Sequence, residues 1–179
     1  MRTAIILSDP ASGCPGRARH RCGFTMIEMM AVLAVIAILA LLAAPGFQDQ
    51  IIRSQINEAL PLADVAKKPV ELSWSLLQRL PADNAAAGLP VPEKIVNNYI
   101  RAVELQDGAV NITFGNRANA NIKGKVLTLR PAVVADAPVV PVAWVCGLAE
   151  APEKMTVLGD NRTNIPANFL PVACRSWKK

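Results

Sequence analysis

Hydrophobic positions change rhythm twice along this chain. From Phe24 to Phe47 they are nearly continuous, 24 residues with one charge, Glu28. A run of that length can span a bilayer as a helix. From Ile52 the apolar positions recur every three to four residues: Ile52, Ile56, Ala59, Ala63, Ala66, Val70 and Leu77, with Trp74 on the same face. Arg53, Gln55, Asn57, Glu58, Asp64, Lys67 and Lys68 fall between them. This predicts an amphipathic helix over 48–77. If it continues the apolar run, Phe24 to Leu77 is one rod of roughly 80 Å at 1.5 Å per residue. Pro45, Pro61 and Pro69 each remove a helical hydrogen bond and are kink candidates. Two readings of them stand: they curve the helix, or Ala44-Pro45-Gly46 unwinds when the surroundings change.

Residues 78–98, with Pro81, Gly88, Pro90 and Pro92, read as a connecting loop. From Tyr99 the period falls towards two. Tyr99–Gln106 and Ala109–Phe114 flank Asp107-Gly108, a two-residue hairpin signal. Lys125–Arg130 gives a third strand. Val139–Cys146, set off by Pro138 and crossed by Pro141, gives an edge-like fourth. Residues 147–173 are rich in turns. The fold class is α+β, a long helix packed by its carboxyl half on a four-stranded antiparallel sheet over 99–146.

Charge sharpens the reading of the amino end. Residues 1–23 hold Arg2, Arg17, Arg19 and Arg21 against Asp9, which accounts for +3 of the net +5. The remainder, with 15 basic and 13 acidic residues, is only +2, so the basic balance is weak support for nucleic-acid binding. Arginines before the apolar run and Asp49 after it keep the amino end cytoplasmic and place the rest outside the cytoplasm. An ordinary secretory signal is the alternative. Its apolar core is usually about 7–15 residues, and Pro45 disfavours cleavage after Ala44, but the small triplet Ala44-Pro45-Gly46 keeps the alternative open.

The cysteines divide by compartment. Cys14 and Cys22 precede the apolar run, where thiols stay reduced; Cys146 and Cys174 lie in the exported part, where a disulfide persists. Two exported cysteines allow one intramolecular pairing. That bond would close 146–174 into a loop, leaving 175–179 as a tail.

Candidate chemistry is sparse. A carboxylate inside an apolar span is costly, which makes Glu28 a functional candidate in need of a partner. The alternative is a membrane-edge carboxylate that reaches the headgroups or is protonated. No catalytic residue is expected: the one histidine, His20, lies before the apolar run, and no nucleophile motif, P-loop or dinucleotide fingerprint follows. No metal or cofactor is expected, since Asp160-Asn161 with Asn164 lacks an acidic cluster for calcium. Lys154, Arg162, Arg175, Lys178 and Lys179 make the carboxyl end basic, and a solvated face is the simpler reading. Asn111-Ile112-Thr113 and Asn161-Arg162-Thr163 match the N-glycosylation triplet, the first inside an expected strand.

Basic residues Arg17 to Arg21, then Gly23-Phe24-Thr25-Met26-Ile27-Glu28 at the head of an apolar helix, resemble the class III signal of type IV pilins. Cys146, Cys174 and the segment Leu170-Pro171-Val172-Ala173-Cys174-Arg175 resemble the disulfide-bounded carboxyl end of pilin heads. The resemblance implies that 1–23 is a leader removed by prepilin peptidase after Gly23. It further implies that Phe24 is N-methylated and that 24–47 is the membrane and assembly helix. The amine of Phe24 would pair with Glu28 of a neighbouring copy and set the register of assembly, because an unpaired buried charge is strongly unfavourable. The implied partners are copies of itself in a helical filament, prepilin peptidase and the assembly machinery of the inner membrane, with host surfaces or DNA as outer contacts. The implied location is the inner membrane before assembly, head in the periplasm, and an extracellular pilus afterwards. A leader of 23 residues is longer than the short-leader class has, which leaves residues 1–15 open as functional sequence. The rival readings are a minor pilin or secretion pseudopilin, and a signal-anchored exported binding domain that never polymerises.

Overall fold

The computed structural model describes residues 24–176, without the side chains of 43–46. The chain divides into two compact units with the boundary after Leu42. One helix, α1, covers Met26–Leu77.

In the amino unit every residue of Met26–Leu42 is exposed, the large apolar side chains ranging from Val32 at 43% to Met26 at 87%. The helix begins where it does because Thr25 caps it. Its hydroxyl accepts the backbone N–H of Glu28 at 3.3 Å, and its carbonyl accepts that of Met29 at 3.2 Å. Thr25-x-x-Glu28 is the spacing of a capping box. An acidic side chain in the first turn also sits well at the positive end of the helix dipole.

In the second unit, α1 buries the face that the periodicity predicts. Ile52, Ile56, Ala59, Ala63, Ala66 and Val70 are fully buried and Trp74 is 8% exposed. Alanines in the middle of this face let the helix lie close on the sheet. Leu77 departs from the expectation and is 67% exposed. The helix ends there, Gln78 takes a left-handed φ of 52°, and the chain turns away before that side chain can reach the core.

The sheet is antiparallel, in the order β1 (Ile100–Gln106), β2 (Ala109–Phe114), β3 (Val126–Val133), β4 (Ala143–Cys146). The β1–β2 turn is Asp107-Gly108, with φ of 47° and 80°. Left-handed φ at both central residues is what the right-handed twist of a two-residue hairpin demands. A Cβ on Gly108 would lie 2.6 Å from Leu80 Cδ1, so glycine serves both the turn and the loop packed over it. Ile100, Val103, Leu105, Val110, Ile112, Phe114, Leu127 and Leu129 meet the buried face of α1 in one core.

Apart from one-residue shifts at the starts of β1 and β3, the sheet departs from the sequence reading in three respects. The fourth strand begins at Ala143, not Val139, because Pro138 and Pro141 lack an N–H and hold the chain in a turn. The third strand runs on to Val133 through Pro131, whose carbonyl accepts the N–H of Leu158 at 2.9 Å. A fifth strand, β5 (Thr156–Val157), pairs with the end of β3, and at two residues it is too short to show a period.

Candidate functional site

The sequence-predicted residues fall into two groups. Near the amino end, Phe24 is 74% exposed and Glu28 lies exposed in the first turn of α1. Gly23 lies outside the described residues, as does the side chain of Pro45. Pro61 is exposed and Pro69 half-buried, and α1 is continuous through both. Thr25 was missed by the sequence reading, although the capping-box spacing was there to find. Among the described residues no single helix is long and apolar enough to cross a membrane. Met26–Leu42 and Phe47–Leu77 pass that test together, by length and composition.

At the carboxyl end Cys146 and Cys174 form a disulfide across 28 positions, with Cys174 buried. The enclosed segment is tied down along its length. The N–H of Leu148 donates to the carbonyl of Cys174 at 2.9 Å, and Asn161 Nδ2 donates to the carbonyl of Gly147 at 2.8 Å. Thr128, fully buried, donates its hydroxyl to Asn111 Oδ1 at 2.8 Å and accepts the N–H of Arg162 at 3.0 Å. Asn164 accepts the N–H of Val126 at 2.7 Å. The carbonyl of Asn168 receives two guanidinium groups, from Arg53 on α1 and from Arg175 beyond the disulfide, each at 2.8 Å.

These bonds use up most of the candidate chemistry. Arg175 also donates to the carbonyl of Leu170 at 2.7 Å, and Arg162 lies 3.8 Å from Glu104. Both arginines are thereby engaged within the chain, and Lys178 and Lys179 lie outside the described residues. The first glycosylation triplet is closed off, since Asn111 is 3% exposed. The side-chain oxygens of Asn161 and Asn164 already accept backbone N–H groups. No group of three or more His, Cys, Asp or Glu is placed to hold a metal among the described residues.

A second polar anchor had no local signal. Asn84, 6% exposed, donates Nδ2 to the carbonyls of Pro90 and Val103 at 3.0 and 3.1 Å and accepts the N–H of Leu105 at 2.6 Å. One amide thus joins the loop over 78–98 to the outer edge of β1.

An apolar helix with exposed side chains precedes a disulfide-closed α+β head, the arrangement of a helix-anchored structural subunit. Comparison with known proteins names the kind. Residues 52–175 match the model of the bacterial filament protein pilin, and residues 18–44 match the prokaryotic N-terminal methylation motif. The chain is 34% identical over 159 residues to a type IV major pilin protein of Neisseria gonorrhoeae, covering 86% of each. It is 33% identical over 162 residues to a fimbrial protein of Neisseria meningitidis, covering 86% of this chain and 93% of that one. A fimbrial protein of Eikenella corrodens is 34% identical over 157 residues, with 86% and 90% covered. The chain belongs to the pilin family. It is a structural subunit of a pilus, and neither the pseudopilin nor the plain anchored-domain reading is favoured.

Proposed function

We propose that this chain is the major subunit of a type IV pilus, made as a prepilin and processed between Gly23 and Phe24. Prepilin peptidase removes residues 1–23 and the new amino group of Phe24 is N-methylated. The subunit waits in the inner membrane with its amino end cytoplasmic and its head periplasmic. Copies then polymerise through their apolar helices into an extracellular filament serving adhesion, twitching or DNA uptake. The observation that carries this reading is the methylation-motif match over 18–44, a span that includes Gly23, Phe24 and Glu28.

Glu28 is the residue that turns an anchor into an assembly element. In the apolar interior of a filament its carboxylate needs a counter-charge, and the Phe24 amine of a neighbouring copy supplies one. The pair sets the axial register between copies.

Two measurements test the proposal. Filaments sheared from cells should yield an abundant species beginning at methylated Phe24, lighter by about 2 Da for the disulfide. Retention of residues 1–23 on a cell-bound protein would defeat it. Glu28→Ala should remove the protein from filaments while leaving it exported and folded; unchanged incorporation would remove the pairing role.

A further inference from the structure

The connection between β2 and β3 gathers cations at the end of the head where α1 enters it. From Gly108 to Ala135 the chain holds four basic residues and no acid. Three of them, Arg117, Lys123 and Lys125, lie in the turn between Phe114 and Val126. Arg101 joins them from β1: a Cβ on Gly115 would lie 2.7 Å from Arg101 Cβ, so glycine there lets the two segments close up. The N–H of Asn119 donates to Gln55 Oε1 at 2.9 Å, which fixes the turn beside α1. Arg101, Arg117 and Lys123 are exposed and Lys125 is half-buried. None of the four has a carboxylate partner among the described residues. On α1 nearby, Asp49 lies 4.0 Å from Arg53 and Glu58 stands one turn beyond Gln55, which leaves the patch in cationic excess.

The turn that carries these charges is held firmly. Ala118 and Ile122 are buried beneath it. The N–H of Gly124 donates to the carbonyl of Phe114 at 2.8 Å, and the N–H of Phe114 donates to the carbonyl of Lys125 at 2.9 Å. A backbone ordered in this way has little freedom left to lose when its side chains meet an anionic surface.

We infer that this patch docks the head on the anionic phospholipid surface of the membrane that holds the apolar helix, which rests on the membrane-resident stage proposed above. Reach argues for it. Gln55 is eight residues past Phe47, where the apolar run ends, a rise of about 12 Å at 1.5 Å per residue. Headgroups occupy about 5–7 Å of that rise. The remainder falls within the screening length of about 8 Å at physiological salt. Each cation brought that close to an anionic leaflet strengthens binding by about fivefold. A nucleic acid is the weaker match, because residues 115–125 contain no aromatic side chain to offer a base a stacking face. The anchor also keeps a lipid surface permanently at hand, whereas a soluble polyanion has to be captured from dilute solution.

The test reconstitutes the full chain into phosphatidylcholine vesicles, with or without an equal part of phosphatidylglycerol, and checks insertion by flotation. A membrane-impermeant amine reagent then acylates the outward-facing heads. Peptide masses give the rate at each lysine, with exposed Lys154 as internal reference. Relative to Lys154, Lys123 and Lys125 should react at least about fivefold more slowly on the anionic vesicles than on the neutral ones. In about 1 M salt, where charges screen over about 3 Å, the difference should vanish. Arg101→Gln combined with Arg117→Gln, in a chain with its disulfide intact, should lose most of the protection; full protection in that variant counts against the patch. Equal rates on both vesicles with the chain inserted overturn the docking and leave the filament reading standing. A chain that does not float with either vesicle overturns both. Protection by duplex DNA on neutral vesicles, with none from anionic lipid, overturns the docking and assigns the patch to nucleic acid.

Discussion

Asn84 and Thr25 each do with one side chain what a run of backbone does elsewhere. Two of the three bonds of Asn84 are buried and the one to Pro90 is part-buried, so truncation strands the Val103 carbonyl and the Leu105 N–H. Asn84→Ala should cost about 2–4 kcal/mol, from a net value near 1 kcal/mol per bond plus the unsatisfied groups left behind. Denaturant unfolding of the exported protein checks this. Asn84→Asp should not recover it, because the carboxylate lacks the donors that Pro90 and Val103 need. Thr25→Ala should weaken the start of α1 by about 1 kcal/mol, roughly a fivefold rise in amide exchange at Glu28, with Thr25→Ser restoring protection. The two differ in legibility. Thr25 is readable from its three-residue spacing to Glu28, whereas two of the three partners of Asn84 lie 19 and 21 residues away, and no local pattern announces them.

At the scale of elements, period was the dependable signal. The buried face of α1 was legible down to Ala59, Ala63 and Ala66, because a helix against a sheet admits apolar residues on one side only. Alanine at those positions is a spacing requirement as well as an apolar one. Ala63→Leu should destabilise the head by about 1–3 kcal/mol through overpacking, read as a lowered unfolding midpoint. The first two strands were legible because Asp107-Gly108 fixes their register. The fourth was drawn too long because the valines flanking Pro141 look like a strand, although proline denies the ladder an N–H there. β5 was not legible: it exists through its pairing with Ala132 and Val133, not through a pattern of its own.

At the scale of the molecule, the sequence carried the division of labour between an exposed apolar helix and a closed head. It did not show how the carboxyl loop is secured, since Arg53, Val126 and Thr128 reach it from distant parts of the chain. Replacing Cys146 and Cys174 together by Ser should cost about 3–4 kcal/mol on the chain-entropy account of a 28-residue separation. A thermal scan of the exported protein, with and without reductant, measures it. Because the bond joins Cys174 directly to the end of β4, the closed loop also has a mechanical consequence. A pull on the last residues bypasses the loop and loads the sheet through a covalent link. Roughly 90 Å of slack chain, at about 3.3 Å per residue, stays out of the line of force until the cystine is reduced.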